Sequence, residues 1–315
     1  MGHRLLPAAP GSDVNDLAQL GSEHDEHVEM KPCRIPHPRE CRPRRPVRTP
    51  AWEPNRDRRD AGRPHVPRQQ LEGWHAPILE AASDLGQTRI NFNYRNYFTT
   101  TATYGEKSRR AHYFEGPHEL NRFRQFEMDT DVIDYQFQPL HMRWTKADGQ
   151  SVVYTTDAIY STVAGEIVVE EVKATKAYFD RSDTHDLLKL FETEIKKVGA
   201  RFDRIAGNCI AEPTFLRTIK DAFDNRRTAY HELDVERARD VIARAGGTAP
   251  LGIVLEAVGG PGREALAKLH AMMVRREVAI DLTKPPMGYT LVTLPKAPTD
   301  PDALRAFLRR FSVQP

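Results

Sequence analysis

Hydrophobic and polar positions along this chain follow two periods, and the places where the period changes mark the predicted elements. From Leu71 the composition becomes globular. LEGWHAPILEAASDLG (71–86) predicts a short helix ended by Gly86. Residues 87–113, rich in Thr, Asn, Tyr and Phe, predict extended or loop structure. A helix is predicted over 116–127: Pro117 takes the first turn, where a missing N–H costs nothing, and Leu120, Phe123 and Phe126 recur at helical spacing as its buried stripe. Strand material follows in VIDYQFQPLHMRWT (132–145), the turn ADG, SVVYTTDAIYS (151–161), the turn TVAGE and IVVEEVKA (167–174). Apolar strands joined by glycine-containing turns predict hairpins. A long helix over 184–198 and one more strand, RFDRIAGNCI (201–210), complete a helix–strands–helix–strand order, which is that of an α/β sandwich.

After Glu212 helical spacing takes over, with segments at 214–223, 234–245, 249–258 and 262–276 broken at Gly246-Gly247 and at 259–262. Two apolar segments, EVAIDLT (277–283) and YTLVTL (289–294), flank the turn KPPMG, and 302–311 predicts a terminal helix. Helices followed by a hairpin is the order of a winged-helix domain. The expected organisation is a tail over 1–70, an α/β domain over 71–210 and an all-α or winged-helix domain over 211–315.

Composition changes this picture mainly at the N-terminus. The 315 residues allow roughly two domains of about 150 residues, and 39% hydrophobic content is low enough that part of the chain is expected to pack into nothing. Residues 1–30 carry six acids against Arg4, whereas 31–70 carry eleven arginines and Lys31 against four acids, a net +8, together with nine prolines. Such a segment is read as disordered. It is either a solvated linker or an arm that neutralises DNA phosphates whatever their sequence. His24 and His27 lie in this polar tail without the packed surroundings a metal site needs. Over the whole chain 46 Lys and Arg balance 44 Asp and Glu, so net charge selects no partner class. No apolar run is long enough to span a membrane or serve as a signal peptide. Cys33, Cys41 and Cys209 form neither a disulfide framework nor a CxxC pair. The expectation is a reduced, soluble, cytoplasmic protein.

The candidate chemistry lies in the second hairpin. Asp157 falls on one strand and Glu171-Val172-Lys173 on its partner, giving Asp-x13-Glu-Val-Lys. Side chains alternate along a strand, so Glu171 and Lys173 share a face and Glu170 takes the other. The turn between them allows Asp157 and Glu171 to meet at one end of the hairpin. An oxygen-only, anionic pair suits Mg²⁺ held by one or two carboxylates with waters and a phosphate. Such an ion polarises the scissile phosphate, and Lys173 could position water or offset developing charge. The bland alternative is a solvated hairpin face with an i,i+2 ion pair. Against it, IVVEEVK is apolar before its acids, and charge at the end of a buried strand is costly unless used or paired.

Residues 114–139, FEGPHELNRFRQFEMDTDVIDYQFQP, resemble the start of the TnsA-type endonuclease subunit of heteromeric, Tn7-like transposases. The features that carry the resemblance are Glu119, Glu127, Asp129-Thr130-Asp131-Val132 and the strand ending in Gln138-Pro139. It continues through Tyr154-Thr155-Thr156-Asp157 and Glu171-Val172-Lys173, and extends over roughly 88–295. The resemblance implies a restriction-endonuclease-like PD-(D/E)xK fold that cuts the 5′ ends of a transposon with Mg²⁺, Mn²⁺ able to substitute. It implies double-stranded DNA, a DDE-type transposase and an AAA+ ATPase as partners. Carried over residue by residue, Glu119 is the helix acid, Asp157 and Glu171 the metal ligands and Lys173 the catalytic lysine, with Glu119 supporting the metal or water. Two departures stand out: the prototype has an amide in place of Glu171, and the usual Pro-Asp is here Thr156-Asp157. Glu115 rivals Glu119 and Glu170 rivals Glu171; offset from Asp131-Val132 decides the first, strand parity the second.

In the C-terminal region 262–276 is the candidate recognition helix, with Arg263, Lys268, Arg275 and Arg276 available to phosphates or to the ATPase, and Leu266, Leu269 and Met273 as core. Trp144 and the aromatics of 92–104 could stack on a distorted duplex, or be buried. Two other functions compete: a stand-alone restriction or repair nuclease, and a non-catalytic winged-helix adaptor that binds DNA or protein.

Overall fold

The computed structural model describes residues 76–88, 101–114, 116–145, 149, 151–210 and 212–312. The predicted tail, its histidines, Glu115 and most of the aromatic stretch 92–104 lie outside the described residues. So do 71–75, the first part of the predicted N-terminal helix. All described residues belong to one compact unit, Gly62–Pro315.

The next segment differs from expectation: β1 (Ile78–Ala81) is a strand, not the end of a helix. It pairs antiparallel with β5 (Leu140–Thr145), Ile78 opposite Arg143 and Ala81 opposite Leu140. Leu79 and Ala81 face the core while Ile78 is exposed, a two-residue period that the flanking Leu85 and Ala82 disguise as helical. β2 (Thr101–Gly105) and β3 (Arg110–Phe114) form a hairpin. α1 (Pro117–Met128) then runs as predicted, with Pro117 in its first turn. Phe123 and Phe126 are fully buried and Leu120 packs beside them.

The two long predicted strands each break in the middle, and at the same level. Residues 132–145 divide into β4 (Val132–Phe137) and β5, and 151–161 into β6 (Ser151–Thr155) and β7 (Ala158–Thr162). The breaks are Gln138-Pro139 and Thr156-Asp157. Pro139 cannot donate to a ladder, and Gln138 takes a left-handed φ of 46°. Gln138 N donates to Asp157 O at 3.0 Å and Thr156 N to Leu140 O at 3.1 Å, so both strands bend together. The outcome is two sheets. One has the order β1-β5-β6; the other is β4-β7-β8-β9, with β8 (Ile167–Lys173) and β9 (Arg201–Ala206) parallel. The crossover is α2 (Ser182–Lys197), close to the predicted 184–198. β9 ends at Ala206, and Gly207–Ile210 turns into the short helix α3.

The C-terminal elements are α4 (Pro213–Asp224), α5 (Glu232–Arg244), β10 (Thr248–Pro250), α6 (Leu251–Val258), α7 (Arg263–Val274), β11 (Ala279–Ile280), β12 (Leu291–Thr293) and α8 (Ala303–Arg309). Pro250 ends a strand at the place where helix was expected from 249, and β10, β12 and β11 form a small antiparallel sheet in that order. The hydrophobic core continues across residue 210. Phe123, Phe126 and Phe137 share one cluster with Phe223, Val254 and Leu269, while Leu304 and Phe307 of α8 pack in another with Ile159 and Val169. Among the described residues, no helix is long and apolar enough to cross a membrane.

Candidate active site

β7 and β8 pair antiparallel with Ala158 opposite Glu170 and Ile159 opposite Val169. That register places Asp157, the residue just before β7, beside the Glu171–Val172 peptide. The Asp157 carboxylate accepts a hydrogen bond from Val172 N at 2.7 Å. Lys173 Nζ stands 3.6 Å from Asp157 Oδ2 and also bonds Glu171 Oε1. Tyr154, on β6, donates its hydroxyl to Glu171 Oε2. The three residues expected to act together are therefore brought together, at the bend where β6 gives way to β7.

Glu171 is only 2% exposed. Burial pushes its carboxyl up to about 7, the negative charge of Asp157 pushes the same way, and Lys173 and the Tyr154 hydroxyl oppose them. Two carboxylates held this close repel, and burial removes the water that would otherwise screen them. A divalent cation would relieve both costs. The donors are oxygen only, with a backbone N–H and a phenol orienting them, which fits Mg²⁺ bound through two carboxylates. Among the described residues no cluster of three or more Asp, Glu, His or Cys side chains is grouped for a metal.

Strand parity separates the two neighbouring glutamates as expected. Glu170 points to the opposite face, fully buried, where Arg122 of α1 grips it in a fork: Nε to Oε2 at 2.8 Å and a terminal nitrogen to Oε1 at 2.5 Å. Burial would lower the Arg122 guanidinium, but Glu170's charge and hydrogen bonds more than compensate and raise it. Glu170 thus ties α1 to β8.

Glu119 is half-buried in the first turn of α1, one turn before Arg122. That turn lies at the site's end of the sheet. The His118 ring occupies the space where a Cβ on Gly207 would fall. Gly207 follows Ala206, the parallel partner of Lys173. Glu127, the second acid of the TnsA-like pattern, serves elsewhere. It is fully buried and accepts from Tyr135 Oη at 2.6 Å, Glu106 N at 3.0 Å and Lys107 N at 3.2 Å, so it clamps the β2–β3 turn. Asp129 bonds Asp131 N at 2.9 Å in a local turn.

The sequence assigns no role to Tyr154, Arg122 or Gln138. Tyr154 stands inside the Tyr-Thr-Thr-Asp motif, but its hydrogen bond crosses from β6 to β8 and leaves no local signal. Of the expected basic face of the 262–276 helix, most is engaged within the protein. Lys268 pairs with Asp234 at 3.2 Å, Arg275 lies over Tyr230, and Arg276 bonds Thr130 O at 2.8 Å. Arg263 is exposed. Leu269 and Met273 are core, and Trp144 is buried at 3% exposure.

No protein-family model matches this chain, and no curated protein is significantly similar to it.

Proposed function

We propose that this chain is the metal-dependent DNA endonuclease subunit of a TnsA-type heteromeric transposase, hydrolysing phosphodiesters at the 5′ ends of a transposon. The observation that carries the reading is the convergence of Asp157, Glu171 and Lys173 on one end of the β7–β8 hairpin, with Glu171 buried and proton-hungry. A solvated ion pair on a hairpin face would bury neither acid. The sheet with one parallel pair, crossed over by α2 and backed by α1, supports the PD-(D/E)xK reading of the fold. The order of helices around β10, β11 and β12 supports the winged-helix reading of the C-terminal part.

Asp157 and Glu171 would hold Mg²⁺, or Mn²⁺ in its place; when bound, the ion supplies Lewis-acid polarisation of the scissile phosphate and a more acidic water. Lys173 is held by both carboxylates, where its ammonium can meet charge accumulating on the phosphate oxygens. Tyr154 fixes the outer oxygen of Glu171, and Val172 N orients Asp157. Glu119, from the α1 turn, would support the water network. Double-stranded DNA is the substrate, and a DDE-type transposase and an AAA+ ATPase are the partners of the cytoplasmic assembly.

The test is cleavage of an end-labelled transposon-end duplex with a DDE-type transposase of the same element and Mg²⁺. Wild type should nick the 5′ strand; Asp157→Ala and Lys173→Ala should abolish the nick while keeping the wild-type far-UV circular dichroism. Retained cleavage in both variants would sink the site assignment. Cutting without the transposase would favour a stand-alone nuclease. Normal 3′ processing with no 5′ cleavage by wild type would favour a non-catalytic adaptor.

A further inference from the structure

A cleft of about 430 Å³ opens between the β2–β3 turn, the Ser83–Leu85 segment and α8. Its walls carry four arginines, Arg109 from the turn, Arg110 at the start of β3, and Arg305 and Arg309 from α8. The last two are four residues apart and so share one helix face. The nearby acids offset this charge only in part. Arg305 Nε is 3.8 Å from Asp134 Oδ2 and its NH1 4.0 Å from Asp302. The Asp84 carboxylate accepts from Gly86 N, while Arg110 bonds the Asp84 backbone carbonyl at 2.9 Å. Arg109 and Arg309 are exposed, and neither guanidinium makes a hydrogen bond or ion pair among the described residues. Arg109 and Leu85, both in the lining, adopt a left-handed backbone, φ 54° and 58°, uncommon for residues other than glycine.

Like charges gathered in one concavity repel unless an anion joins them. The guanidinium fork matches phosphate oxygens in pairs. The lining is polar, unlike the apolar pockets that hold most small molecules. Its positive charge sits on arginine side chains, three of the four exposed, not on buried backbone N–H groups. That construction suits a phosphate arriving as part of a strand that runs along the surface. We propose that this cleft is a sequence-independent phosphate-binding site for a nucleic-acid strand, separate from the carboxylate site. Asp134, within 3.8 Å of the lining residue Arg305, pairs with Ser161, four residues beyond Asp157. That is on the order of 13 Å along the strand, too far for one phosphate to serve both places.

The measurement is fluorescence anisotropy of the full chain with a labelled duplex of arbitrary sequence, in EDTA, across a salt series. No cleavage occurs under those conditions, so failure of the nuclease reading leaves this result untouched. Arg109→Gln/Arg309→Gln should lower the slope of log K against log salt by about 2, one unit for each phosphate no longer neutralised. Arg109→Lys/Arg309→Lys should keep most of it. Arg244→Gln, on the exposed face of α5, should change nothing. An unchanged slope in the Gln pair, or an equal fall with Arg244→Gln, overturns the proposal. Displacement of the duplex by inorganic phosphate too dilute to alter ionic strength overturns it in favour of a free-anion site.

Discussion

Arg122→Met would strand the Glu170 carboxylate, fully buried, without the two charge-assisted hydrogen bonds that satisfy it. Removing one partner of a buried pair costs about 3–5 kcal/mol. Two hydrogen bonds to a charged group, at about 1.5–3 kcal/mol each, lead to the same range. Glu170→Gln should cost less, on the order of 1–2 kcal/mol, because Arg122 is 18% exposed and can still meet water and the amide oxygen. Arg122→Met/Glu170→Met removes both charges at similar volume and should return to within about 1 kcal/mol of wild type. Urea unfolding of wild type, Arg122→Met, Glu170→Met and the double variant forms a double-mutant cycle with an expected coupling of at least about 3 kcal/mol. Glu170→Gln should still cleave, since its carboxylate lies on the face away from Asp157. Additive single effects would refute the ion-pair argument. Loss of cleavage in Glu170→Gln with unchanged stability in Arg122→Met would make Glu170, not Glu171, the second ligand.

Two further perturbations test the surroundings of the site and core. Burial lowers His112 to about 3, helped by Arg110, so it is neutral in the fold and protonated in the unfolded chain below its ordinary 6.5. Its contribution is therefore fully present above pH 6.5 and falls away as pH drops towards 3. Glu171 and Asp134, raised to about 7 and about 6, take up protons in the fold and offset that fall, so only a difference is diagnostic. The destabilisation caused by His112→Gln should shrink by roughly 2 kcal/mol between pH 6.5 and 4.5; a constant value in chemical denaturation would refute it. Gly207→Ala drives a methyl group into the His118 ring and should lower stability by about 1–3 kcal/mol, with His118→Ala restoring it in the double variant by thermal melting. No restoration would mean the α1 turn is not seated against Gly207.

Much of the site was legible because its chemistry is local. Parity along IVVEEVK separates Glu171 and Lys173 from Glu170 before any tertiary neighbour is known, and the glycine turn at 162–166 returns the chain so that Asp157 meets Glu171. Pro117 and the Leu120, Phe123 and Phe126 spacing placed α1 correctly for the same reason: backbone geometry repeats over a few residues. The misread segment at 78–81 shows the limit. Its short apolar run suits either period, and only pairing with β5 selects extended backbone. The bend at Gln138-Pro139 was marked by proline, yet its alignment with Thr156-Asp157, which aims the aspartate, depends on the register of two hairpins. Arg122 finds Glu170 across 48 residues of chain, and the cleft joins Arg109 to Arg309. Such meetings follow from how sheets and helices stack to bury their apolar faces, and that packing is a property of the whole chain, not of any window along it.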